Sequence, residues 1–170
     1  MHRNAELIRR LFTALDKHDH ATMADCYHAE ATFRDIAFEL RGRGQIHAMW
    51  RMVCAGDIRA AIQTVEASHA SGRATLVDTY TFGAQREPFK PGRPVRNEVE
   101  SRFTFRDGLI VQQHDFCDAP AWAAQALGGL LGVVAGHVRL VRSLTAKRKL
   151  DAFIARHRES SPLIDPGDLQ

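Results

Sequence analysis

Residues 97–118, NEVESRFTFRDGLIVQQHDFCD, constrain the fold more than any other stretch of the chain. The first arm alternates Val99, Ser101, Phe103 and Phe105 with Glu98, Glu100, Arg102 and Thr104. A period of two with one apolar face predicts a half-buried strand. Asp107-Gly108 is a strong signal for a tight hairpin turn. The return arm, Leu109 to Asp118, sets Val111, Gln113, Asp115 and Cys117 on one face and Ile110, Gln112, His114 and Phe116 on the other. Whichever face is buried takes Asp115 or His114 with it. A buried ionisable group is costly unless satisfied, so chemistry is expected first on this arm.

The rest of the chain supports an α+β reading. Leu7, Ile8, Leu11, Phe12 and Leu15 form an amphipathic stripe over residues 4–16, with Asn4 as the expected N-cap. A second short helix is read over residues 21–31, with Met23, Cys26 and Tyr27 facing inward. Residues 31–40 read as a short strand, and residues 45–54 as a third helix with Ile46, Met49, Trp50 and Val53 inside, ended by Gly56. Strands are predicted over residues 58–69 and 73–83, joined at Ser71-Gly72, before a proline-bearing stretch at residues 84–96 and the hairpin. Helices followed by a strand meander imply helices gathered on one face of a mostly antiparallel sheet.

The segment from Ala119 to Val138 carries no Asp, Glu, Lys or Arg. Its length allows a membrane span. Pro120, Gln125, Gly128, Gly129, Gly132, Gly136 and His137 favour a helix covered by the protein or by a partner, so membrane contact is not expected. Residues 140–157 read as an amphipathic helix, and the tail as loose. A domain over residues 1–127 with a helical extension over 128–170 follows.

Composition excludes several classes. The formal charge is +3, and the basic residues from Arg139 to Arg158 lack interleaved aromatic platforms, so nucleic acid is not an expected partner. Cys26, Cys54 and Cys117 are far apart and read as reduced thiols, and MHRNAELIRR shows no secretory signal pattern. A cytoplasmic protein is expected. His28, His47 and His69 have no metal-ligand spacing, and neither metal nor cofactor is expected.

Three stretches, LFTALDKHDHATMADCYHAEATFRD, RGRGQIHAMW and ESRFTFRDGLIVQQHDFCD, together resemble the nuclear transport factor 2-like superfamily. The likeness is to its SnoaL-like polyketide cyclase and ketosteroid isomerase-like branches, over roughly residues 4–127. The resemblance implies a cone-shaped, curved sheet wrapped around three N-terminal helices, with a pocket for a small hydrophobic molecule in its mouth. It implies catalytic carboxylates at Asp35 and Asp115, facing each other across that pocket. Leu11, Trp50, Ser101, Phe103, Gln113 and Cys117 are the expected pocket lining. Leu11 and Ser101 stand where the isomerases keep oxyanion donors, so steroid isomerisation is not expected. The Asp-Arg-Asp arrangement of the superfamily's epoxide hydrolases is not matched, because Arg102 alternates onto the polar face.

Two functions stay open. One is proton transfer of cyclase or isomerase type on an apolar, carbonyl-bearing metabolite such as a polyketide. The other is a non-catalytic ligand-binding or dimerisation module of the same fold. The polar sheet face with Glu98, Glu100, Arg102, Gln112 and His114 implies a homodimer.

Overall fold

The computed structural model describes residues 2–83, 92–128 and 150–155. The apolar stripe forms α1, Arg3–Asp16, whose Ile8, Leu11, Phe12 and Leu15 are all buried. Its N-cap is His2 rather than Asn4, and His2 Nδ1 accepts the Asn4 backbone N–H at 3.1 Å. The Asn4 side chain is drawn elsewhere: its amide donates to Ser68 O at 2.8 Å and His69 O at 3.1 Å. Those two bonds commit the Asn4 side chain to Ser68 and His69, and the cap falls to His2.

The second helix is shorter than the sequence suggests. α2 spans His20–Ala24, and Tyr27 already belongs to a strand, β1, Tyr27–Arg34. Tertiary pairing overrides local propensity here, because β1 lies parallel to the last strand of the sheet. The strand read over residues 31–40 is likewise divided. Asp35 turns the chain, and β2, Glu39–Arg41, returns antiparallel on β1. α3, Arg43–Cys54, buries Ile46, Met49 and Trp50 as the spacing predicts. It ends at Ala55 in right-handed geometry, not at Gly56.

The expected meander follows. β3, Arg59–Ala67, β4, Ser71–Phe82, β5, Arg93–Arg106, and β6, Leu109–Cys117, pair antiparallel in succession. Asp107 and Gly108 both adopt positive φ, at 55° and 75°, as a tight hairpin turn of this kind requires. The β3–β4 turn lies slightly earlier than Ser71-Gly72, closed by Ser68 N–H donating to Ser71 O at 2.8 Å. Gly72 belongs to β4, and its lack of a Cβ leaves room for Ile8, whose Cδ1 would lie 2.7 Å from one.

The six-stranded sheet has the order β2-β1-β6-β5-β4-β3. It is open and curved, mixed rather than wholly antiparallel because of the β1–β6 pair. Val111 is an extra residue in β6, since Thr104 pairs with Gln112 and Phe105 with Ile110. Such a bulge bends a strand, and it turns Ile110 inward to full burial, against the face assigned from strict alternation. The core lies between the concave face and α1, α2 and α3.

α4, Ala119–Leu127, is capped by Asp118, whose side chain accepts the Ala121 N–H, and ends at Gly128 with φ 74°. Residues 150–155 are helical, with Leu150 buried in the core. The remainder of the predicted extension lies outside the described residues. No helix among those described is long and apolar enough to cross a membrane.

Candidate functional site

β6 carries Gln113, Asp115 and Cys117 on its concave face, as alternation predicts. Gln113 is fully buried, and Asp115 and Cys117 are half-buried. The ladder sets Ser101 of β5 opposite Asp115. Ser101 is fully buried and its Oγ has no partner in hydrogen-bond geometry. It nevertheless lies near enough to Asp115 to draw that carboxyl's pKa down.

Asp115 is reached by a linear chain of polar groups. Trp50 Nε1 on α3 donates to the Tyr27 hydroxyl at 3.0 Å. That hydroxyl donates to Gln113 Oε1 at 2.5 Å. Gln113 Nε2 then donates to Asp115 Oδ1 at 2.9 Å and Oδ2 at 3.0 Å. Burial nonetheless pushes Asp115 up to about 7, with Ser101 and Gln113 pulling down and the charge of Asp35 adding to the rise.

Asp35 sits at the end of β1, where its Oδ1 accepts the backbone N–H groups of Ala37 at 2.7 Å and Phe38 at 2.5 Å. This is an aspartate turn that leads the chain into β2. Burial raises Asp35 to about 6 against those two donors. Asp35 and Asp115 are therefore within electrostatic reach of each other.

The residue missed in the sequence is Asp78. It follows Ala74 and Leu76 on the concave face of β4, in phase with the alternation, but the sequence of that strand does not say which face is buried. The curvature of the sheet brings its carboxyl under the influence of Asp115. Burial first, and the Asp115 charge second, raise Asp78 to about 7. Its Oδ1 is buried without a hydrogen-bond partner. Tyr80, two residues on, accepts the Trp122 indole N–H of α4 at 2.5 Å. Burial raises the Tyr80 phenol to about 12, with Asp78, Cys117 and Asp35 adding to the rise. Trp122 also meets Phe82 edge-on at 5.6 Å, so α4 is fastened to the end of β4 beside these groups.

The other expected lining residues are placed unevenly. Trp50 is buried against Phe33, with ring centroids 5.6 Å apart. Leu11 and Phe103 are fully packed in the core, and Phe103 meets Phe12 and Phe105. No group of three or more His, Cys, Asp or Glu among the described residues is arranged to hold a metal ion.

Helices against the concave side of a curved, open sheet, with carboxyls inside it, define the nuclear transport factor 2-like class. The chain belongs to the SnoaL-like domain family, whose profile matches residues 8–113. A LEH-like epoxide hydrolase of M. tuberculosis is similar in structure, with TM-score 0.62 and 18% identity, covering 78% of this chain and 96% of that one. IdmH of Streptomyces antibioticus, a proposed polyketide cyclase, has TM-score 0.61 and 21% identity, covering 73% and 98%. A ketosteroid isomerase-like protein of Catenulispora acidiphila, in complex with trimethylamine, has TM-score 0.61 and 15% identity, covering 73% and 94%. No curated protein sequence matches the chain.

Proposed function

We propose that the concave site moves a proton on an apolar, carbonyl-bearing small molecule of polyketide type, with Asp115 as base and Asp78 as acid. The observation that carries this reading is the unequal partnering of two carboxyls that burial raises alike. Asp115 receives the Gln113 amide on both oxygens, which favours its ionised form. Asp78 has a buried oxygen with no donor, which favours its protonated form. A base must be ionised and an acid protonated at the same pH, and carboxyls near 7 supply both. The substrate lies between them, giving a proton to Asp115 and taking one from Asp78. Asp35 contributes negative potential and can serve as an alternative base. The Ser101 hydroxyl, fully buried opposite Asp115, favours the ionised base.

Carboxyl-carbon NMR titration tests the assignment. Asp115 and Asp78 are expected to titrate near 7, Asp35→Asn to lower Asp115, and Asp115→Asn to lower Asp78. Midpoints near the usual value of about 3.9 that ignore one another would leave the non-catalytic binding module as the function. Leu11, which cannot donate a hydrogen bond, is the feature that favours that second reading.

The convex face supports a homodimer. Arg102 lies over the Phe116 ring at 4.8 Å, and the His114 ring meets it tilted at 36°, with 3.9 Å between centroids. Glu100 joins Arg73 and Arg102, and Phe116 stays 38% exposed. An aromatic ring held amid paired charges suits an isologous contact. Light scattering should give twice the 19.0 kDa chain mass, and Phe116→Asp should give the single-chain mass. A monomer in the wild type would refute the dimer. Three free thiols, Cys26, Cys54 and Cys117, support a reducing, cytoplasmic setting.

A further inference from the structure

We infer that Trp50 is a positioning residue that fixes the direction of the hydrogen bonds reaching Asp115, acting through Tyr27 and Gln113. The inference rests on the reading of Asp115 as base and explains what holds it ionised. An indole N–H can only donate. Because Trp50 Nε1 donates to the Tyr27 oxygen at 3.0 Å, Tyr27 must accept there. A phenol has a single proton, and Gln113 Oε1, at 2.5 Å, is where that proton goes. Burial, then the charge of Asp115, raises the Tyr27 phenol well above its usual value, so the proton is always present to be given. With its carbonyl engaged by Tyr27, the Gln113 amide has one orientation left, its NH2 towards Asp115.

The direction therefore runs one way, from indole to phenol to amide to carboxylate. A reversed amide would point its carbonyl at Asp115 and stabilise the protonated acid instead. Tyr27 and Gln113 are both fully buried and Trp50 nearly so, hence water does not stand in for a missing member. The arrangement spans three elements, since Trp50 is on α3, Tyr27 on β1 and Gln113 on β6. None but Gln113 touches the carboxyl, so their effect on it is transmitted and not direct.

The test is a carboxyl-carbon titration of Asp115 in the full chain, read together with the Gln113 side-chain amide proton shift. Trp50→Phe keeps an aromatic ring against Phe33 but removes the donor, and Tyr27→Phe removes the phenol. Each is expected to raise the Asp115 midpoint by half a unit or more. The double variant should raise it no further than the larger single change, because one broken link already frees the amide. Ile8→Ala, a core truncation beside Gly72, should lower the unfolding midpoint and leave Asp115 titrating as in the wild type. If Trp50→Phe and Tyr27→Phe only destabilise, like Ile8→Ala, the directional chain is refuted. Should Trp50→Phe fail to fold, Tyr27→Phe alone decides. A wild-type Asp115 midpoint near 3.9 refutes the acid–base reading separately, and the comparison between variants remains readable from that starting point.

Discussion

Asp78→Asn is expected to make the protein more stable above pH 7 and to change little at pH 3.5. The folded-state pKa of Asp78 is raised to about 7 by burial and by Asp115. An unfolded aspartate titrates near 3.9. Between those values the folded state holds a proton that the unfolded state has released, so folding stability falls as pH rises from about 4 to about 7 and then levels. At pH 3.5 the aspartic acid is largely protonated in both the folded and the unfolded state, so it is as neutral as asparagine and the swap there is nearly silent. At pH 8.5 the wild type must hold an ionised carboxyl with a buried, unpartnered oxygen, whereas the variant holds a neutral amide. The full shift would correspond to about 4 kcal/mol, and partial exposure of the group reduces the expected gain to about 2 kcal/mol. Urea unfolding at the two pH values measures it. Equal stabilities of variant and wild type at pH 8.5 would show that Asp78 is not strained when charged.

The second large effect is in packing. Phe103→Ala is expected to cost about 3–5 kcal/mol, read as a lower urea midpoint at unchanged slope. The resemblance placed Phe103 on a pocket wall, where truncation would enlarge a space already open to solvent. In the structure it is 2% exposed, edge-on to Phe12 at 6.1 Å and stacked on Phe105 at 6.3 Å. Gly72 and Gln113 are its cross-strand neighbours, one on each side. A void left there is closed off by sheet and helix and cannot collapse easily. A loss below about 1 kcal/mol would return Phe103 to a solvent-facing wall.

These two residues also show what could be read from the amino-acid order. The hairpin was legible because strict alternation meets Asp-Gly, where both residues take positive φ. Asp115 and Gln113 were legible by the same counting. Asp78 obeyed that counting too, but in RATLVDTYTFG either face offers apolar residues, Val77 as well as Leu76, so alternation alone selects neither. Ile110 defeated it because the bulge at Val111 shifts the phase of the strand. Tyr27 was correctly expected inside and wrongly expected in a helix. Its partners, Gln113 and Trp50, lie 86 and 23 residues away, and no local window contains them.

That separation has a consequence for how the chain comes to be folded. β1 pairs at once with the short β2, but it joins the rest of the sheet only through β6, after the whole β3–β5 meander has been made. A chain growing from the ribosome can assemble α1, α2 and α3 early, but its Tyr27 hydroxyl lacks its amide acceptor until Gln113 emerges. Contacts of such long reach slow folding, because the intervening loop must close before any of them forms. β6 thus completes both the sheet and the polar chain to Asp115, so any nascent species cut short before it has an open sheet edge and lacks the Asp115 carboxyl.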